Sequence, residues 1–246
     1  YGNAKENKQY MFYSIKGSNG KTILVDGGWK SNEEAVRNAI RELGGRVDLW
    51  IITHPHPDHA GAFNAIAANP GKIKIGKVCA PKINARIYKK YAQSWDEYPV
   101  FTEFSRLLKK QKKVQWLKAG DRFDFFGLDF QVFHSYYRGL SKKTKDICND
   151  SSLVFKISGR KKSMLFTGDI NAGVCKRLAR KYGKQLAATY LQAPHHGNNK
   201  GRKILFKSVS PQMAFFDAPA FLWQRSEVRG NRELLRKQGC KVLTYG

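Results

Sequence analysis

Short apolar runs separated by glycine-rich turns alternate along this chain with longer stretches in which apolar residues recur every three to four positions. The first pattern predicts strands and the second amphipathic helices. Residues 10–15 and 22–25, joined through Gly17-Ser18-Asn19-Gly20, read as a hairpin ending in Asp26-Gly27-Gly28. A helix is predicted over 32–43, with Ser31 as N-cap, Glu34 as its capping-box partner and Gly44-Gly45 as the stop. The largely apolar run 47–52 reads as a buried strand that delivers the chain to Thr53-His54-Pro55-His56-Pro57-Asp58-His59. Helices at 60–68 and 98–110 and strands at 72–78, 114–117, 122–125 and 128–133 complete the first half. In the second half, strands at 153–157, 163–167, 189–192, 213–216 and 241–244 alternate with helices at 171–182, 202–207 and 229–238. No Pro/Gly/Ser linker or break in composition divides the chain. Residues 1–246 are therefore expected to form a single α/β domain, two packed sheets flanked by helices.

Only six histidines occur, and five of them fall in two short motifs, three within 54–59 and two at 195–196. In an extended segment residues two apart share a side, so His54 and His56 can grip one cation. Asp58 and His59, just past the turn, can grip a second. Imidazole with carboxylate suits zinc first, and also manganese or iron, with positions open to water. Two metals need a bridging carboxylate and ligands from elsewhere in the chain. The sequence offers Asp169 in Phe166-Thr167-Gly168-Asp169 and the histidines of Ala193-Pro194-His195-His196-Gly197, each after an apolar run.

Composition narrows the setting. With 41% hydrophobic residues the chain can fill a core, and no apolar run approaches the roughly 18 residues of a membrane-spanning helix. A soluble protein is expected. The sequence opens at Tyr1 rather than methionine, so the compartment is open, and it is extracytoplasmic if an upstream signal peptide was removed. Cys79, Cys148, Cys175 and Cys240 match no metal-ligand spacing and read as scattered core thiols. Lys and Arg number 45 against 19 Asp and Glu, a formal charge of +26 that favours polyanionic partners. Nothing in the sequence implies a specific protein partner.

The ordered elements Asp-Gly-Gly, Thr-His-Pro-His-Pro-Asp-His, Asn-Asp-Ser-Ser-Leu-Val, Thr-Gly-Asp-Ile and Ala-Pro-His-His-Gly resemble the metallo-β-lactamase superfamily over nearly the whole chain. Within it they resemble the branch holding the hydrolase domain of the competence DNA-uptake protein and the teichoic-acid phosphorylcholine esterases. The resemblance implies a four-layer αββα sandwich and two divalent metal ions. His54 and His56 would hold one ion, Asp58 and His59 the other, and Asp169 would bridge them. His196 would ligate the second metal. Asp26 would be the acid that orients ligands from behind. Most of the superfamily completes the first site with a third histidine, and none stands between 134 and 195. Asp150 is the expected substitute, with His134 as its rival. Two such ions lower the pKa of a bridging water, so that hydroxide attacks at neutral pH. Asp58 and His195 are the expected catalytic residues, His195 by hydrogen-bonding the anionic transition state or protonating the leaving group.

The fold supports many reactions, so substrate class is read from the surroundings. The charge and the branch point to a phosphodiesterase or nuclease acting on nucleic acid, with Lys142, Lys143, Lys145, Lys200, Arg202 and Lys203 reaching the phosphate backbone. Tyr88, Tyr91, Trp95 and Tyr98 could stack on bases or cage a quaternary ammonium, or form a packing stripe on one helix face. The segment Phe215-Phe216-Asp217-Ala218-Pro219 is expected to reshape one wall of the pocket. A choline-phosphate type ester of the cell wall or a lipid is the alternative substrate. A polyanion-binding protein with a structural or inactive metal centre is the alternative of another class.

Overall fold

The computed structural model describes residues 8–244. Residues 1–7 and 245–246, which the single-domain expectation includes, lie outside the described residues. The chain divides into two compact units, residues 10–117 with 145–148, and residues 118–144 with the chain from 149 onward.

The first unit is built on a five-stranded sheet in the order β1-β2-β3-β4-β5. Its strands are β1 (Phe12–Lys16), β2 (Thr22–Asp26), β3 (Arg46–Ile51), β4 (Lys74–Pro81) and β5 (Val114–Leu117). β1 and β2 form the antiparallel hairpin, and β2 through β5 run parallel. Parallel neighbours need crossovers. These are α1 (Glu33–Glu42), α2 (Pro57–Ala68), and the pair α3 (Ala85–Tyr91) and α4 (Tyr98–Lys110). β3 is central and buried from Val47 to Ile51, which explains its near-continuous apolar run. Trp50, fully buried, meets Phe63 of α2 edge-on at 5.1 Å, and Phe63 meets Phe104 of α4 at 5.7 Å.

One helix start differs from expectation. Ser31 lies inside a tight turn, Lys30–Asn32, and Asn32 Oδ1 accepts the Trp29 N–H at 2.9 Å. That local bond winds an extra turn before α1, so Ser31 caps nothing and the helix proper opens at Glu33.

The second unit carries a seven-stranded sheet in the order β12-β11-β10-β9-β8-β7-β6. β6 (Arg122–Phe125), β7 (Leu128–His134), β8 (Val154–Ser158) and β9 (Ser163–Phe166) are antiparallel neighbours. β9, β10 (Tyr190–Gln192), β11 (Met213–Phe216) and β12 (Lys241–Thr244) run parallel. The helices are α5 (Ile147–Asp150), α6 (Ala172–Tyr182), α7 (Lys203–Val209), α8 (Ala220–Trp223) and α9 (Ser226–Arg236), α5 beginning in the 145–148 segment of the first unit. Val174 and Leu178 of α6, Leu205 and Phe206 of α7 and Leu235 of α9 join Leu165, Leu191 and Ala214 of the sheet in one core. Four-residue helices such as α5 and α8 are too short for a hydrophobic period, and the sequence pattern shows neither. Among the described residues no helix is long and apolar enough to cross a membrane. All four cysteines are buried and free, as core thiols should be.

Candidate functional site

The first unit supplies the motif histidines. β2 ends at Asp26, whose backbone is left-handed (φ 56°) and whose side chain is wholly buried. Asp26 Oδ1 accepts the Thr53 N–H at 2.6 Å, and Oδ2 accepts the Thr53 hydroxyl at 2.7 Å. His59 Nδ1 donates to the same Oδ2 at 2.7 Å. Burial, the largest influence, pushes the Asp26 carboxyl up, against the pull of the His59 charge and these hydrogen bonds. The histidine is thus held by Nδ1, the arrangement in which a ring ligates through its opposite nitrogen. The Thr53 hydroxyl also sits 3.2 Å from His54 Nδ1.

α2 begins inside the motif, with Pro57 at its first position, so Asp58 and His59 lie in its first turn rather than in an open loop. Pro57 fits there because its missing N–H would have had no intrahelical partner. The rings of His54 and His56 are 4.6 Å apart and those of His54 and His59 4.1 Å, while Asp58 Oδ1 is 3.9 Å from His59 Nε2. Gly61 lets α2 lie close against the chain at Trp29 and Lys30, whose backbone a Cβ there would meet.

His56 is held differently, its Nε2 lying 2.7 Å from Asp96 Oδ1, with both side chains buried. Burial alone would raise Asp96. Hydrogen bonds from His56 and the Gln93 N–H, the His56 charge and the Cys148 thiol outweigh it and hold the carboxyl below its usual range. Asp96 was not legible in advance, since it lies 40 residues from its partner in an irregular turn.

The second unit supplies the rest. Asp169 follows β9, and its N–H donates to Ser152 Oγ at 3.0 Å while that hydroxyl donates to the Asn149 carbonyl. Asp150 Oδ1 accepts the Asn171 N–H at 2.7 Å, bracing the turn that carries Asp169. His134 Nε2 donates to the Asp150 carbonyl at 2.8 Å. Burial, with Arg177 nearby, brings the His134 pKa down to about 4 despite that bond, so the ring is neutral.

The second histidine pair sits in Pro194–Gly197 with His195, His196 and Gly197 all left-handed (φ 54°, 56° and 84°). Such strain persists only when surroundings fix it. Asn231 donates to the carbonyls of Gly197 and Asn199, both at 2.8 Å, and the His195 N–H donates to Gly168 O at 3.0 Å. Gly197 lies against Phe216, whose ring would overlap any Cβ. His196 Nε2 is 3.1 Å from Asp169 Oδ2 and buried, whereas His195 Nε2 is 4.0 Å away on a side chain 22% exposed. Asn199 Nδ2 lies 3.2 Å from His195 Nδ1.

Other expected residues divide. Lys142, Lys143, Lys145, Lys200 and Lys203 are exposed. Arg202 is a correction. It is fully buried, its guanidinium donating to the Ile170 carbonyl at 2.7 Å and to Cys175 Sγ, so it ties the Asp169 turn down and reaches no surface ligand. Tyr88 stacks on Phe101 at 4.1 Å and Tyr98 on Phe101 at 5.7 Å, the packing stripe rather than a cage. Trp95 stands apart, 67% exposed. Phe216 packs edge-on against Trp223 at 5.9 Å, beneath the histidine turn rather than along an open wall.

Comparison with known proteins places these motifs. A family model described as the metallo-beta-lactamase superfamily matches residues 10–203, which carry all six histidines and Asp26, Asp58, Asp96, Asp150 and Asp169. The chain belongs to the metallo-β-lactamase superfamily, and its two-sheet mixed α/β structure is that superfamily's fold. It is 26% identical over 209 residues to the uncharacterized protein YcaI of Escherichia coli (strain K12), covering 82% of this chain and 23% of that one. It is 26% identical over 199 residues to the competence protein ComA of Neisseria gonorrhoeae, covering 80% and 24%. The chain thus spans about a quarter of the length of these curated relatives. The metallo-beta-lactamase fold protein YhfI from Bacillus subtilis aligns with a TM-score of 0.54 at 10% identity, over 97% of this chain and 89% of that one.

Proposed function

We propose that the chain is a metal-dependent hydrolase of phosphodiesters, acting on nucleic acid, with His54, His56, Asp58, His59, Asp169 and His196 as its metal ligands. The observation that carries this reading is the Asp26–His59 pair: a carboxylate buried behind one nitrogen of a motif histidine is the arrangement that orients a ligand for a metal. The donor set of imidazole and carboxylate suits two divalent ions, zinc first and manganese second. When bound, such ions supply an activated water and neutralise charge on the substrate's oxygens.

The chain's own residues do the remainder. Asp26 and Thr53 orient His59, and Ser152 fixes the backbone of Asp169. His195, the more exposed of its pair, is suited to hydrogen-bond the developing charge or protonate the leaving oxygen. Asp58 would hold metal through its carboxylate. Asp150, with His134 behind its carbonyl, supports the Asp169 turn, and by the family resemblance it would be the remaining ligand of the first metal.

Nucleic acid is favoured by the charge of +26 and the exposed Lys142, Lys143, Lys145, Lys200 and Lys203. The likeness to a competence protein supports the same reading. Exposed Trp95 favours a second reading, a choline-phosphate ester whose quaternary ammonium would rest on the indole. The test is turnover on a chromogenic phosphodiester, single- and double-stranded DNA, RNA and a choline-phosphate ester, with Asp169→Ala as control. Cleavage of DNA that Asp169→Ala abolishes is expected. Cleavage of the choline ester alone would transfer the proposal to the second reading, and binding of DNA without cleavage of any substrate would leave a polyanion-binding protein.

A further inference from the structure

We propose that Asp96 is a positioning residue that fixes the tautomer and orientation of His56, making Nδ1 its ligand atom. The inference rests on the reading of His56 as a metal ligand.

A carboxylate only accepts hydrogen bonds, so Asp96 Oδ1 at 2.7 Å from Nε2 requires the proton on Nε2. A neutral imidazole protonated there carries its lone pair on Nδ1. Both side chains are buried, at 8% and 2% exposure, so water does not compete for the bond. The other oxygen is also engaged, since Oδ2 accepts the Gln93 N–H at 2.6 Å and anchors the turn Ser94–Asp96. Behind it, Cys148 Sγ lies in one cluster with Asp96 and His56, their ligand atoms within 4.8 Å of one another. That thiol hydrogen-bonds to Asp96. Tyr88, stacked on Phe101, packs with Cys148 and closes the arrangement from below.

Asp96→Asn separates positioning from support of the turn. The amide oxygen can still accept the Gln93 N–H, but its NH2 then faces Nε2 and calls for an acceptor there. The proton moves to Nδ1, the nitrogen assigned to the metal. Nitrogen-15 NMR of the metal-free protein reads the tautomer directly, and chelator competition reads zinc affinity. The wild type is expected to carry His56 as Nε2–H. Asp96→Asn is expected to shift the ring toward Nδ1–H and to weaken zinc about 10- to 100-fold with its urea midpoint nearly unchanged. A merely structural Asp96 would move the midpoint and leave the tautomer alone. His56 protonated on Nδ1 in the wild type would overturn the proposal without any variant, as would an Asp96→Asn protein that keeps both tautomer and affinity. If the wild type itself binds no zinc, the metal reading falls, and the tautomer still decides whether Asp96 governs His56.

Discussion

Replacing Asp26 by Asn tests how the buried carboxylate links folding to the site. Asn tolerates the left-handed backbone that Asp26 adopts (φ 56°), so the variant isolates the charge, whereas Ala would add about 1–2 kcal/mol of backbone strain. In the native protein two oxygens accept three donors, the Thr53 N–H, the Thr53 hydroxyl and His59 Nδ1. An amide retains one acceptor and turns the other side into a donor, so at least one buried donor faces another. Leaving such a group unsatisfied costs about 1–3 kcal/mol. His59 can relieve the clash only by moving its proton to Nε2, the nitrogen assigned to the metal, and that route lowers metal affinity about 10- to 100-fold. Urea unfolding of the metal-free protein and chelator competition measure the two effects. Stability and affinity both unchanged within error would refute the reasoning, because neither the fold nor the ring would then depend on the carboxylate.

Three further outcomes follow. Gly197→Ala forces a Cβ into the Phe216 ring at a left-handed position (φ 84°) and should destabilise by about 1–3 kcal/mol, with partial recovery in Gly197→Ala/Phe216→Leu, read by thermal unfolding. His134, brought from 6.5 to about 4 mainly by burial, is neutral when folded but protonated below 6.5 when unfolded, so stability should fall as pH drops through that interval, by up to about 3 kcal/mol. The wild-type minus His134→Gln difference in unfolding free energy should trace that loss, and a flat difference would contradict it. Arg202→Met should lower the urea midpoint and leave the salt dependence of DNA binding intact, whereas Lys200→Gln/Lys203→Gln should reduce the slope of log affinity against log salt by about 1 to 2.

Much of this was legible in the sequence because the signals were local. A strand such as β3, buried along its length, must be apolar almost throughout, and α4 announces itself by its period. His54, His56, Asp58 and His59 stand within six residues, so their chemistry needs no tertiary knowledge. What stayed hidden depends on distant partners. Asp96 finds His56 only through the turn after α3, and Asn231 reaches the histidine loop from α9, 34 residues beyond Gly197. Arg202 misled for the same reason. In a run with Lys200 and Lys203 it reads as surface charge, and only its bond to the Ile170 carbonyl shows it is internal. The cap of α1 was lost to the Asn32–Trp29 bond, which competes with the helix start.

The central claim is that this chain holds a pair of divalent metals through both of its histidine motifs. Elemental analysis of the purified chain, saturated with zinc or manganese and freed of excess, tests it most directly alongside Asp169→Ala and His196→Ala. The account predicts about two ions per chain in the wild type, from the two-metal ligand set, and fewer in each variant. No bound metal in the wild type, or an undiminished content in both variants, would contradict it.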